Sequence, residues 1–174
     1  MPGNPQELFP LVDESGAVVG SATRQECHNG SKLLHPVVHL HLFNMRGELY
    51  LQKRAMHKDI QPGKWDTAVG GHVDYGESVE AALRREAREE LGLTGFEPQF
   101  VQRYIFESAI EKELIHTFLT RCDATPVPDR DEVECGRFWS LAEIDAALGQ
   151  GIFTPNFENE YRTVLLPRLR AAEP

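Results

Sequence analysis

Three glutamates, Glu86, Glu89 and Glu90, stand at i, i+3 and i+4, the spacing that sets side chains beside one another on one helical face. Like charges so placed destabilise a helix by roughly 0.2–0.5 kcal/mol per pair, so the cluster calls for cations. Hard carboxylate oxygens favour Mg²⁺ or Mn²⁺. Through such ions an acidic protein can handle phosphates. The hexapeptide Arg85-Glu86-Ala87-Arg88-Glu89-Glu90 is, taken alone, also ordinary for a solvated helix face. Its frame decides the matter: Gly71 and Glu77 ahead of it, Gly92 behind it.

The helix that must carry these groups has its own signals. Ser78 suits the N-cap, Val79, Ala82, Leu83 and Leu91 form an apolar stripe, and Gly92 suits the stop. Arg85 is the expected partner of Glu77, holding the preceding loop against the helix.

From Gly71 to Leu93 the chain resembles, position for position, the signature of the Nudix family of diphosphate hydrolases. The fixed positions are Gly71, Glu77, Arg85, Glu86, Glu89, Glu90 and Gly92, with Ala87 and Leu93 in the apolar slots. With each fixed type at about 5–7% of residues, a chance match at one start is on the order of 10⁻⁸. The resemblance implies an α/β fold, a mixed β-sheet sandwiched between α-helices. It implies one domain over 1–174, with a core of about 34–145, an N-terminal hairpin at 8–22 and a C-terminal helix at 157–170. It also implies Mg²⁺ or Mn²⁺ on Glu86, Glu89, Glu90 and the Gly71 carbonyl, with Arg85 and Glu77 completing the catalytic group. Water would then attack a diphosphate, with Glu86, or else Glu111 or Glu113, as general base. Glycine suits position 71 because the backbone must approach the metal closely and φ > 0 is open to it.

Size and composition agree. A chain of 174 residues predicts one domain with a sizeable core, and 41% hydrophobic with 26% charged residues is ordinary for a globular protein. A net charge of −9 argues against a nucleic-acid-binding surface. Cys27, Cys122 and Cys135 are odd in number and widely spaced, which predicts free thiols in a cytoplasmic protein. No secretory signal and no apolar run of membrane-spanning length is visible. The expected partner is a small-molecule diphosphate, with no nucleic acid and no membrane. The oligomeric state stays open, a dimer included.

Along the chain, Leu8–Val12 and Ala17–Ala22 read as a hairpin, and His35–Phe43 with Glu48–Lys53 as paired central strands. Gln61–Lys64 is a loop and Trp65–Val69 a strand ending at Gly70-Gly71. Phe100–Glu107 and Glu113–Arg121 are a second pair, and Glu134–Trp139 is the last strand. Ser140–Glu143 is a capping box. Phe157–Arg170 is a helix interrupted or ended near Pro167. The acidic run Asp129–Glu132 reads as solvated surface, and His39 and His41 as core or rim residues.

A narrower resemblance rests on Thr23–His28, Leu33-Leu34-His35, Leu42-Phe43-Asn44 and Pro62–Asp66. These look like the isopentenyl-diphosphate isomerase-like branch of the superfamily, over roughly residues 8–145. That branch implies a second metal site, matched here by His28, His35, His72, Glu111 and Glu113. The isomerases also carry an essential cysteine immediately before the Gly-His pair. Gly70 stands there, with no side chain to move a proton, and the Nudix helix, degraded in those isomerases, is intact here. Both departures favour hydrolysis. The alternatives are isopentenyl-diphosphate isomerisation and a non-catalytic nucleotide-binding domain. Lys53, Arg54 and Lys58 can meet phosphates, with Arg54 and Lys58 as the substrate-binding candidates. Trp65 and Tyr75 are candidates for stacking on a base. The identity of the substrate is not written in these residues.

Overall fold

The computed structural model describes residues 3–58 and 60–172; residues 1, 2, 59, 173 and 174 of the expected 1–174 span lie outside the described residues. A hairpin of β1 (Leu8–Val12) and β2 (Val18–Thr23) opens the fold and runs into the short helix α1 (Arg24–Cys27). Its turn is held by Asp13, whose Oδ1 accepts the backbone N–H groups of Ser15 and Ala17 at 2.9 and 3.1 Å. A capping box starts α1: Thr23 accepts from the Glu26 N–H while the Glu26 carboxylate accepts from the Thr23 N–H.

The main sheet contains β3 (Leu34–Phe43), β4 (Leu49–Arg54), β5 (Trp65–Thr67), β6 (Val69–His72), β7 (Gln99–Glu107), β8 (Lys112–Arg121) and β9 (Val133–Trp139). The order is β5-β4-β3-β8-β7, with β6 on β3 and β9 on β4. Strand β3 runs parallel to β8 and antiparallel to β6, so the sheet is mixed as expected. Helices cover both faces. On one, Val38, Leu40 and Leu42 of β3 pack with Ala82, Leu83, Ala87 and Leu91 of α2 (Val79–Leu91). On the other, Phe43, Leu49, Leu51 and Leu119 pack with α3 (Leu141–Ala147) and α4 (Pro155–Glu160).

Three expectations need correction. Strands β3 and β4 are not a paired centre, because they meet only at Phe43 and Leu49 beside their turn. Beyond it they splay, and β6 pairs with β3 at Val37–Leu40 instead. The stretch Trp65–Val69 is two strands, broken at Ala68, of which β5 pairs with β4 and β6 with β3. The C-terminal helix begins at Pro155, capped by Thr154, and passes through a π-helical turn at Tyr161–Leu165 before α5 (Leu166–Ala171). The Leu166 N–H bonds to the Tyr161 carbonyl, five residues back, just ahead of Pro167. A widened turn there lets the chain pass a residue that cannot donate, and the helix continues rather than ending.

Candidate active site in the cleft between the splayed strands

Where β3 and β4 part, a cleft of roughly 600 Å³ opens, lined by β4, β6, α2 and the start of β8. Helix α2 brings the glutamates to it. Ser78 caps the helix by accepting the Ala81 N–H, and Gly92 ends it at φ 62°, as their types predict. Arg85 is the organising cation. Its Nε and Nη2 donate to the two Glu77 oxygens at 2.8 and 3.0 Å, and Nη2 also donates to the His72 carbonyl at 3.0 Å. Its Nη1 reaches Glu86 at 2.7 Å and Glu89 at 3.3 Å. One guanidinium therefore ties the loop, the helix and β6 together, and it holds the Glu77 carboxyl below its ordinary pKa.

Glu86 and Glu90 are packed against the backbone of β6. A Cβ on Gly71 would lie 2.2 Å from Glu86 Cδ, so only glycine admits this approach. Gly71 needs no positive φ; closeness alone requires it. Glu90 has weak company, an N–H from Gly70 at 3.3 Å and the Gln52 amide at 3.5 Å. Burial first, then the charge of Glu86, pushes Glu90 up to about 8. Burial also raises Glu86, against the pull of Arg85. Two crowded, desolvated carboxylates beside a bare glycine are a set a divalent cation fits.

The five residues of the second cluster also converge. One ligand-capable atom from each of His28, His35, His72, Glu111 and Glu113 lies within 4.8 Å of the others. His35 and Glu113 are partners in the β3–β8 register, while His72 comes from β6. His28 ends α1 and bonds Glu111 at 3.0 Å. Buried Phe9, from the hairpin, stacks on His72 at 4.5 Å and on His35 at 5.7 Å. His35 Nδ1 bonds the Leu33 carbonyl at 2.9 Å, leaving its Nε2, like that of His72, buried and without a hydrogen-bond partner. Burial holds both rings below the ordinary histidine range. Glu113 is pushed up to about 8 by burial and then by Glu111. Neutral imidazoles with buried, unpartnered nitrogens beside crowded carboxylates fit a cation.

The family model of the NUDIX domain matches residues 33–157. The chain belongs to the Nudix superfamily. It lies in the isopentenyl-diphosphate isomerase-like branch, being 36% identical to the isopentenyl-diphosphate Delta-isomerase of Mycolicibacterium vanbaalenii over 73% of this chain and 74% of that one. It is also 30% identical to an uncharacterized Nudix hydrolase of Streptomyces coelicolor, over 95% of this chain and 89% of that one. Among solved structures, DR0079 from Deinococcus radiodurans matches with a TM-score of 0.76 at 28% identity, covering 90% of this chain and 98% of that one. No helix among the described residues is long and apolar enough to cross a membrane.

The remaining candidates of this Nudix chain fall out less simply. Arg54 and Lys58 do line the cleft, but Arg54 bonds the Ile60 carbonyl at 2.9 Å and lies 3.7 Å from Asp66, while Lys58 pairs with Glu132. In the run Asp129–Glu132, Asp129, Arg130 and Asp131 are exposed as expected, while Glu132 is half-buried and, with Asp129, borders the cleft. Lys53, Trp65 and Tyr75 are outside the cleft lining among the described residues. Lys53 pairs with Glu134 at 3.5 Å, Trp65 packs edge-on against Trp139 at 5.1 Å, and Tyr75 is exposed. Phe9, Gln52, Asp66 and most of all Glu160 also shape the site, although the sequence does not single them out for it. Glu160 carried a signal: it lies between Phe157 and Tyr161 in the buried stripe of α4.

Proposed function

We propose that this chain is a Mg²⁺- or Mn²⁺-dependent hydrolase that cleaves a diphosphate bond in a nucleoside or other organic diphosphate by attack of water. The observation that carries the reading is the packing of Glu86 against Gly71 and the bond of Glu90 to the Gly70 N–H, with Arg85 clamping Glu86 and Glu89 from the side. Glu86, Glu89, Glu90 and the Gly71 carbonyl would hold the ions. When bound, the ions supply neutralisation of the diphosphate, stabilisation of the leaving group and a lowered pKa for water.

The chain's own residues do the rest. Glu86, its carboxyl raised by burial, accepts the proton of the attacking water. Arg85 fixes Glu86 while Glu77 fixes Arg85, so the base is held by a relay of hydrogen bonds. Arg54 and Lys58, at the cleft wall, exchange Asp66 and Glu132 for phosphate oxygens. His28, His35, His72, Glu111 and Glu113 would hold a further ion. Free Cys27, Cys122 and Cys135 support a cytoplasmic setting.

A second reading, isopentenyl-diphosphate isomerisation, is favoured by the relatives' names and by the histidine–glutamate cluster. Against it stands Gly70, which has no proton to give where the isomerases carry their cysteine. One paired assay separates the readings: phosphate release from a diphosphate panel, and interconversion of isopentenyl and dimethylallyl diphosphate. Release that Glu90→Gln abolishes, without interconversion, supports the hydrolase. Interconversion without release supports the isomerase.

A further inference from the structure

On the face of β3 turned away from α2 lies a carboxylate that belongs to neither cluster. Glu160 is 1% exposed. Its Oε1 is bonded to His39 Nδ1 at 3.0 Å, Tyr104 OH at 2.5 Å and Thr117 Oγ1 at 2.8 Å, and its Oε2 to His41 Nε2 at 2.6 Å. An ionised carboxylate accepts from all four groups, with no hydrogen of its own to place among them. A buried charge of that kind requires a counter-charge.

Two histidines compete to supply it. His41 is fully buried and its Nδ1 has no hydrogen-bond partner, so a second proton there would be a buried N–H without an acceptor. His39 instead lines the cleft, where a proton on Nε2 can meet a ligand. The charge therefore resides on His39. Burial opposes it, but Glu160, with help from Glu113 and Asp66, outweighs burial and lifts His39 to about 9. Glu160 falls well below the ordinary carboxylate range, its own burial overcome chiefly by His39.

Position 70 completes the picture. Gly70 is the β6 partner of His39, and a Cβ there would already stand 3.5 Å from His39 Cδ2 and 3.7 Å from Nε2. Any longer side chain would cover the imidazole edge. The Gly70 N–H meanwhile donates to Glu90 at 3.3 Å. One glycine thus separates the imidazole from the metal-holding carboxylates.

We propose that His39 is a substrate-binding residue that donates its Nε2 hydrogen to a phosphate oxygen of the diphosphate, and that Glu160 is the residue that positions it. The inference rests on the diphosphate reading for its ligand. The glutamates and their ions meet one side of the diphosphate, and the imidazolium meets the other with a charge-assisted hydrogen bond. The groups around His39 are Glu160 from α4, Glu113 and Thr117 from β8, Asp66 from β5, Tyr104 from β7 and His72 from β6. Tyr104 and Thr117 spend their hydroxyl hydrogens on Glu160, which leaves His39 Nε2 as the cationic donor on this side.

The test uses methylenediphosphonate, a diphosphate that cannot be hydrolysed, with the Mg²⁺-loaded full chain. Imidazole ¹⁵N spectra at pH 7 should show both His39 nitrogens protonated, with the Nε2 resonance moving when the probe is added. Calorimetry below the melting temperature of each protein should show Kd rising at least tenfold in His39→Gln, whose melting temperature should fall because Glu160 loses its counter-charge. Glu160→Gln should lose the Nε2 proton at pH 7 and bind the probe as weakly. If Glu160→Gln does not fold, the wild-type spectra and His39→Gln decide alone. An unprotonated Nε2, a resonance unmoved by the probe, no probe binding to the wild type, or a Kd within twofold in His39→Gln overturns the inference. Failure of the hydrolase reading looks different: the probe binds through His39, yet no diphosphate in the panel releases phosphate.

Discussion

Replacing Gly71 with alanine places one methyl group where the structure has none to spare. The new Cβ would stand 2.2 Å from Glu86 Cδ and 2.5 Å from its Oε1, whereas ordinary contact begins at 3.4 Å, so the carboxyl group must retreat by about 1.2 Å. The backbone cannot yield instead, because Gly71 is paired with Val38 inside the β3–β6 ladder. Retreat breaks the 2.7 Å Arg85–Glu86 hydrogen bond, between side chains only 22% and 15% exposed. A hydrogen bond between charged groups contributes about 1.5–3 kcal/mol, and Arg85 keeps Glu77 and the His72 carbonyl. The expected stability loss is therefore about 2 kcal/mol, or roughly 5 °C in Tm for a chain of this size. Function should suffer far more, since a displacement of about 1 Å costs on the order of 10²-fold in rate. The assay pairs thermal melts with Mn²⁺ titration and turnover. Because both changes act through one carboxylate, the double variant Gly71→Ala/Glu86→Gln should be no slower than Glu86→Gln alone. Wild-type turnover in Gly71→Ala, or additive losses in the double variant, would show that Glu86 does not need the space left by Gly71.

Glu89→Gln and Glu90→Gln should each lower turnover by at least about 10²-fold while the proteins stay folded, as measured by steady-state kinetics and melting. Glu90 stands near 8 in the folded chain, above its ordinary value of 4.5, so the stability it lends is present at low pH and lost as pH rises through 8. Metal-free Glu90→Gln should accordingly gain in Tm relative to the wild type between pH 6 and pH 9. With Glu90 and Glu113 both near 8, ion binding at pH 7 must expel protons, and calorimetry in buffers of different ionisation enthalpy should count at least one. The histidine–glutamate cluster should prefer Mn²⁺ or Zn²⁺ to Mg²⁺ and persist below pH 6.5, because His35 and His72 are both held neutral by burial. Isopentenyl diphosphate should not be interconverted with dimethylallyl diphosphate, as followed by product analysis; conversion above background would require a proton donor other than residue 70.

Local chemistry was the legible part. Ser78, Gly92, the Arg85–Glu77 pair and the Ser140 capping box act within a few residues of themselves, so their types and spacing foretold their geometry. The splaying of β3 and β4 was not legible, because it depends on β6 arriving from elsewhere to take the β3 edge. Partners from distant segments were equally hidden. Phe9 reaches His72 from the hairpin, Glu132 reaches Lys58 across the cleft, and Glu160 gathers groups from β3, β7 and β8. Alternating His39 and His41 on a buried strand, and one glutamate in the apolar stripe of the last helix, were visible separately. Only the parallel β3–β8 pairing and the packing of α4 bring them together.

The central claim, water attack on a diphosphate at the Glu86–Glu90 face, is tested most directly by turnover in ¹⁸O-enriched water. A panel of nucleoside diphosphates and triphosphates, nucleotide sugars, dinucleotides and prenyl diphosphates is incubated with Mg²⁺ or Mn²⁺, and products are read by ³¹P NMR. At least one substrate should be cleaved, with a single ¹⁸O on one phosphorus of the products, and Glu90→Gln should cleave none. Products without label, or equal cleavage by Glu90→Gln, would contradict the central claim.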